Sequence, residues 1–112
     1  FYQESGSEFD TGIKAWINEN ADAKTNNGGN DMVSAVTAMG YDAYFVALEA
    51  LKAAGDVDPA AVLEALPGVS YEGVSGLIEF DEIGDAKRDQ AYIKTADTEA
   101  GAWEFVTVQG VA

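Results

Sequence analysis

Carboxylates are the only reactive side chains this sequence offers in quantity: 20 Asp and Glu stand against 6 Lys and Arg, with no His and no Cys in 112 residues. Two carboxylates held at a set separation in a cleft can hydrolyse glycosides. With so many acids, however, neighbouring pairs arise by chance, and no spacing singles one out. Asp81, Glu82 and Asp85 around Gly84 have the ligand type for calcium but miss the Asp-x-Asp-x-Asp-Gly order of a calcium loop, so a tight turn is their expected role. Ser34, Ser70 and Ser75 have no imidazole to activate them, and no Ser-x-x-Lys spacing occurs. The amides of NNGGND, ending at Asp31, could cradle an anion, yet no strand leads into that stretch and no Lys follows it. Turn chemistry accounts for it. The chain therefore reads as a non-enzyme, with no catalytic residue, metal or cofactor expected.

The formal charge of -14 repels phosphate backbones and anionic lipid, which argues against nucleic acid or an anionic membrane as partner. Without Cys there are no disulfides or thiolate zinc sites, and this says little about compartment. No apolar run approaches the length that spans a bilayer. A composition of 47% hydrophobic and 23% charged residues is that of one modest globular domain. Because the chain starts at Phe1, a trimmed piece is expected, with its targeting information elsewhere.

The elements are organised around the run DMVSAVTAMGYDAYFVALEALKAAG, which predicts a helix over 31–54 opened by Asp31 and closed by Gly55. At helical spacing, Tyr41, Tyr44, Phe45, Leu48 and Leu51 form a bulky stripe. Ala43, Ala47, Ala50 and Ala54 form a smooth one, and Asp42, Glu49 and Lys52 a thin polar edge. The expectation is a core helix buried on nearly every side, with Leu48 inside.

Upstream, Phe1 and Tyr2 suggest the tail of a strand. Ser7 and Asp10 resemble a capping box for a helix over 8–19, with Phe9, Ile13, Trp16 and Ile17 on its apolar face and Trp16 in the core. The Asn-rich and Gly-rich stretch 18–30 predicts a loop. Downstream, Asp58-Pro59 starts a helix over 58–66, stopped by Pro67-Gly68. Residues 70–76 read as a connector, and strands follow over 77–81, 90–96 and 102–109. The last two should pair as a hairpin around DTEAG, with Gly101 in a left-handed position.

Four motifs stand in order here: Gly40-Tyr41-Asp42-Ala43 in a helix ending Ala-Gly, Asp58-Pro59 opening a helix, Gly73-Val74-Ser75-Gly76 at a strand, and Phe80-Asp81 to Gly84-Asp85 at a turn. Together they resemble the C-terminal region of type I periplasmic binding proteins, branched-chain amino-acid type. The resemblance implies an α/β chain that is a fragment of that fold: three helices, a strand and a C-terminal β-hairpin. Residues 1–89 would belong to part of one lobe, and 90–112 to a hinge crossing and the terminal strands of the other. It further implies an extracytoplasmic solute receptor, periplasmic or lipid-anchored at the cell surface, that delivers a small amino acid-like ligand to the membrane permease of an ABC importer. Of the ligand contacts, the resemblance carries over the segment Ser34, Ala35, Val36 and Thr37, with Val36 backing the ligand's apolar group. A fragment that lacks both parent sheets is expected to self-associate and to bind amino acids poorly alone.

The alternative from a different class is a stand-alone acidic interaction domain whose apolar stripe docks a protein partner. A receptor requires a further α/β region upstream in the gene; an interaction domain requires a start codon or a linker there.

Overall fold

The computed structural model describes residues 2–110; Phe1, and residues 111–112 of the expected crossing segment, lie outside them. Four helices come first: α1 (Glu8–Glu19), α2 (Ala21–Asn26), α3 (Ala35–Ala54) and α4 (Pro59–Ala65). A 3-10 turn (Leu66–Gly68) leads into β1 (Tyr71–Gly73), β2 (Gly76–Phe80) and β3 (Ala86–Lys87), which form one antiparallel sheet. Strands β4 (Gln90–Asp97) and β5 (Ala102–Gly110) form a separate two-stranded ribbon.

Local chemistry sets the helix ends. The Ser7 capping box opens α1, and the Asp58 carboxylate accepts from Ala60 N at 3.0 Å to open α4. Gly55, at φ 64°, closes α3 in the left-handed region that costs glycine least. The start of α3 differs from the expected Asp31. Asp31 instead accepts from the Asn18 side-chain amide at 2.9 Å, and Ser34 caps the helix by accepting from Thr37 N at 3.1 Å. Residues 21–26, expected as loop, coil into α2 because Ala and Lys are good helix formers; the turn is confined to residues 27–30, where Gly28 and Gly29 take φ of 74° and 81°. Tyr2 is not part of a strand. It is buried, and its hydroxyl donates to the buried Asp10 carboxylate, which also accepts from the amides of Ser5, Gly6 and Ser7.

The inward face of α3 is Ala38, Asp42, Val46 and Ala50, spaced by four and buried. This reverses part of the expectation: Asp42 is fully buried, not on a polar edge, while Tyr41, Tyr44 and Leu51 are exposed and Leu48 is half-buried. Small residues win the inner face because the β1–β2 turn comes so close that a Cβ on Gly73 would lie 2.4 Å from the Asp42 carboxyl carbon. The aromatic rings are pushed to the flank, where Tyr2, Phe9, Tyr41, Phe45 and Tyr71 run as a ladder with successive centroids 4.8 to 6.0 Å apart. Trp16 is likewise 57% exposed: Asp10 and Ile17 are buried and Ile13 half-buried, while Trp16, one turn from Ile13, sits at the edge of that face on the rim of an open groove.

Two small cores result. Val46, Ala50, Val69 and Ile78 form one, and Tyr2, Val33 and Ala38 the other. Residues 71–73, expected as connector, pair with β2 (Tyr71 opposite Ile78), since Gly76 at φ 97° lets the chain reverse at once. The ribbon agrees with its expected strands, and Gly101 takes φ 63° in its turn. A register shift after Ile93 puts Lys94 opposite Phe105 while Tyr92 stays opposite Val108. Tyr92, Lys94, Ala96, Trp103, Phe105 and Val108 therefore share one ribbon face, and Ile93, Thr95, Glu104, Thr107 and Gln109 share the other. All of β5 is exposed. The radius of gyration is 16.6 Å, against about 13 Å for a compact domain of this length; the ribbon projects from the body.

Candidate functional site

The segment Ser34 to Thr37 lies at the amino end of α3, and the fold divides it. Ser34 and Ala35 line a crevice of about 260 Å3 together with Gln3, Glu4, Met32, Val33, Lys94 and Trp103. Val36 is outside it and 73% exposed. Thr37 faces a different groove, beside Ile13, Trp16 and Asn27. Ser34 is the extended N-cap, and a turn of about 100° per residue points Ala35, Val36 and Thr37, the first three helical residues, in different directions around the axis.

The crevice is built from three places in the sequence. The N-terminal strap supplies Glu4, whose carboxylate accepts from Val33 N at 2.5 Å and from Lys14 Nζ at 2.8 Å. Burial works against ionising Glu4, but these bonds outweigh it and hold the carboxyl below its ordinary 4.5. The same bond raises Lys14 above its ordinary value. Helix α3 supplies Ser34 and an N-terminal turn whose first amides have no intrahelical acceptor. The ribbon supplies Lys94 and Trp103 from its apolar face. Met32, Val33, Ala35 and Trp103 supply the apolar part of the lining, and Gln3, Glu4, Ser34 and Lys94 the polar part. Sequence reasoning missed Lys94 and Trp103 because they are some sixty residues away and reach the crevice only through the pairing of β4 with β5.

Two turns further along α3, buried Asp42 ties the helix to the β1–β2 turn. It accepts from Val74 N at 2.9 Å, Ser75 N at 2.8 Å and Ser75 Oγ at 2.6 Å, so every bond is charge-assisted and the buried charge is compensated by donors. Arg88 in turn donates to Ser75 O at 2.9 Å and Ser75 Oγ at 3.2 Å.

Over residues 2–101 the sequence matches the family profile described as periplasmic binding protein. The chain belongs to the periplasmic binding protein family. It is also similar to the crystal structure of a leucine binding protein, LivK, from Thermotoga maritima, with 29% identity and a TM-score of 0.62 over 88% of this chain. The chain spans 26% of that protein. No curated protein matches it. Four helices and two small sheets are thus a fragment-sized part of a type I periplasmic binding protein fold, one helix and two short strands richer than the sequence suggested. Periplasmic binding proteins are binding proteins and not enzymes, and the family is extracytoplasmic. Among the described residues no helix is long and apolar enough to cross a membrane. Asp81 has a local role: it accepts from Ile83 N and Asp85 N at 3.0 and 2.9 Å to close the Gly84 turn.

A second groove, about 370 Å3 between α3 and β2, is lined by Met39, Ala43, Val46, Ala47, Ile78 and Phe80 among others. Apart from Arg88 its lining is apolar, so it lacks the convergent polar groups that orient an amino acid.

Proposed function

We propose that this chain is the C-terminal part of an extracytoplasmic solute receptor for branched-chain or related amino acids, serving the membrane permease of an ABC importer. The family match over residues 2–101 carries the reading, and the leucine-binding structural neighbour supports the ligand class. In this reading residues 1–89 belong to one lobe, and 90–112 cross the hinge into the other. The crevice at the start of α3 is one wall of the ligand cleft. Its apolar surface, with Glu4 and Lys94 flanking it, suits an aliphatic side chain carried on a zwitterion. Ser34, Ala35 and the backbone around Val36 approach the ligand from α3, and Trp103 closes on it from the ribbon.

Calorimetric titration of the whole receptor with leucine tests this. Ala35→Trp should fill the crevice and weaken leucine binding at least about tenfold, roughly 1.4 kcal/mol. Unchanged affinity in that variant overturns the assignment of the wall. The 112-residue chain alone should bind leucine poorly, because one wall supplies few contacts and no closure. It should also self-associate through the exposed ribbon. A compact monomer with micromolar affinity contradicts both expectations.

A further inference from the structure

We infer that Arg88, acting through Ser75 on Asp42, is the positioning residue that sets the angle of the β4–β5 ribbon, and with it the placement of Lys94 and Trp103 at the crevice. The ribbon leaves the body through Arg88 and Asp89, the two residues between β3 and β4. Beyond that link β5 is exposed along its length, and the apolar ribbon face is not packed into either core. Two unbraced linking residues would leave the ribbon free to swing, and the crevice would have no fixed width. The brace is the Arg88 fork. Its two nitrogens hold the carbonyl and the hydroxyl of one residue, Ser75.

Ser75 is itself anchored. It is buried, its amide and hydroxyl both donate to Asp42, and Asp42 is fully enclosed within α3. The hydroxyl hydrogen points to Asp42, so the oxygen's lone pairs face Arg88, and the direction of each bond is settled. A planar guanidinium engages both Ser75 oxygens at once and thereby fixes an orientation. A lysine ammonium would reach one of them as a swivelling point charge. The same α3 carries Asp42 and, two turns earlier, the Ser34–Ala35 wall of the crevice. Both walls are therefore referenced to one rigid element.

The functional consequence rests on the reading of the crevice as a ligand wall, so the test uses no ligand. The chain has no native cysteine, so nitroxides can be placed at Glu64→Cys on α4 and Thr98→Cys in the ribbon turn, both exposed. Labelled chains are diluted into excess unlabelled protein, and the distance distribution is read by pulsed electron resonance. Arg88→Ala, which removes both bonds, should widen it about two-fold or more, as an element does on losing its tethers; Ser75→Ala, which removes the hydroxyl bond and keeps the carbonyl one, should widen it detectably but less. Arg88→Lys should widen it less. A control pair within the body, Thr11→Cys with Glu64→Cys, should keep its width. Unchanged ribbon width in both alanine variants overturns the inference, as does equal broadening of the control pair, which would mean general loosening. If Arg88→Ala does not fold, Ser75→Ala decides alone, since it keeps the backbone bonds to Asp42 and Arg88. Loss of leucine binding in the receptor's Ala35→Trp variant belongs to the crevice reading and is independent of this outcome.

Discussion

Helix α3 with its sheet and the β4–β5 ribbon are both amphipathic, yet only the first buries its inner face within this chain. In the body, Ala38, Asp42, Val46 and Ala50 lie against the β1–β2 turn, and a buried carboxylate has all its acceptor needs met by Val74 and Ser75. In the ribbon, Trp103, Phe105 and Val108 gather on one face by virtue of a register shift and remain 68%, 40% and 43% exposed. Backbone pairing and a cross-strand ring contact between Tyr92 and Phe105 hold the ribbon's shape, whereas buried side-chain packing and a polar lock hold the body. An isolated two-stranded ribbon is marginal in water, and an apolar face of this kind ordinarily lies against further structure.

The largest effect is expected at Asp42. Asp42→Ala leaves the two buried donors of Ser75 and the partly buried amide of Val74 without an acceptor and should cost roughly 3 to 5 kcal/mol in urea denaturation; a loss below that found at half-buried sites would show that the lock is dispensable. Leu48→Ala comes next. The bulky stripe made it the natural core residue from sequence, but it is half-buried, so a loss of about 2 kcal/mol, the low end for such truncations, is expected. Gly73→Ala forces a methyl into the Asp42 carboxylate and should cost roughly 1 to 3 kcal/mol, measurable as a lower urea midpoint with unchanged slope.

Smaller effects belong to the crevice and the ribbon. Glu4 is held below its ordinary 4.5 in the folded chain, so folding favours its ionised form. That stabilisation is complete above pH 4.5 and fades as pH falls through the lower folded value. Thermal midpoints followed from about pH 6 down to about pH 3 should therefore drop less steeply in Glu4→Gln than in the parent; parallel curves would remove Glu4 from the account. On the ribbon, Trp103→Ala should change monomer stability by no more than about 0.5 kcal/mol. The same substitution should weaken self-association in sedimentation, and a large stability loss with unchanged association would mean that the ribbon is packed as the body is.

From sequence alone, the caps, turns and periodicities were determined: Ser7, Asp58 and Gly55 end helices where their side chains or backbone freedom require, and the hairpin around Gly101 forms where two alternating runs meet a turn. The ordered motifs also sufficed to identify the family. These are local properties, set by a residue and its neighbours within a turn of chain. What the tertiary structure decided is which face of each element turns inward and which distant residues meet. Asp42 reads as surface because the residues that satisfy it stand 32 and 33 positions away. Trp16 and Leu48 read as core because periodicity marks an apolar side without saying whether anything covers it. Of the candidate segment from Ser34 to Thr37, Ser34 and Ala35 line the crevice, Val36 is exposed outside it and Thr37 lines another groove, a division that the run of four residues did not reveal. The crevice exists only because the ribbon brings Lys94 and Trp103 back to the start of α3, and the Arg88 brace that sets their approach is a property of three-dimensional packing that no local pattern encodes.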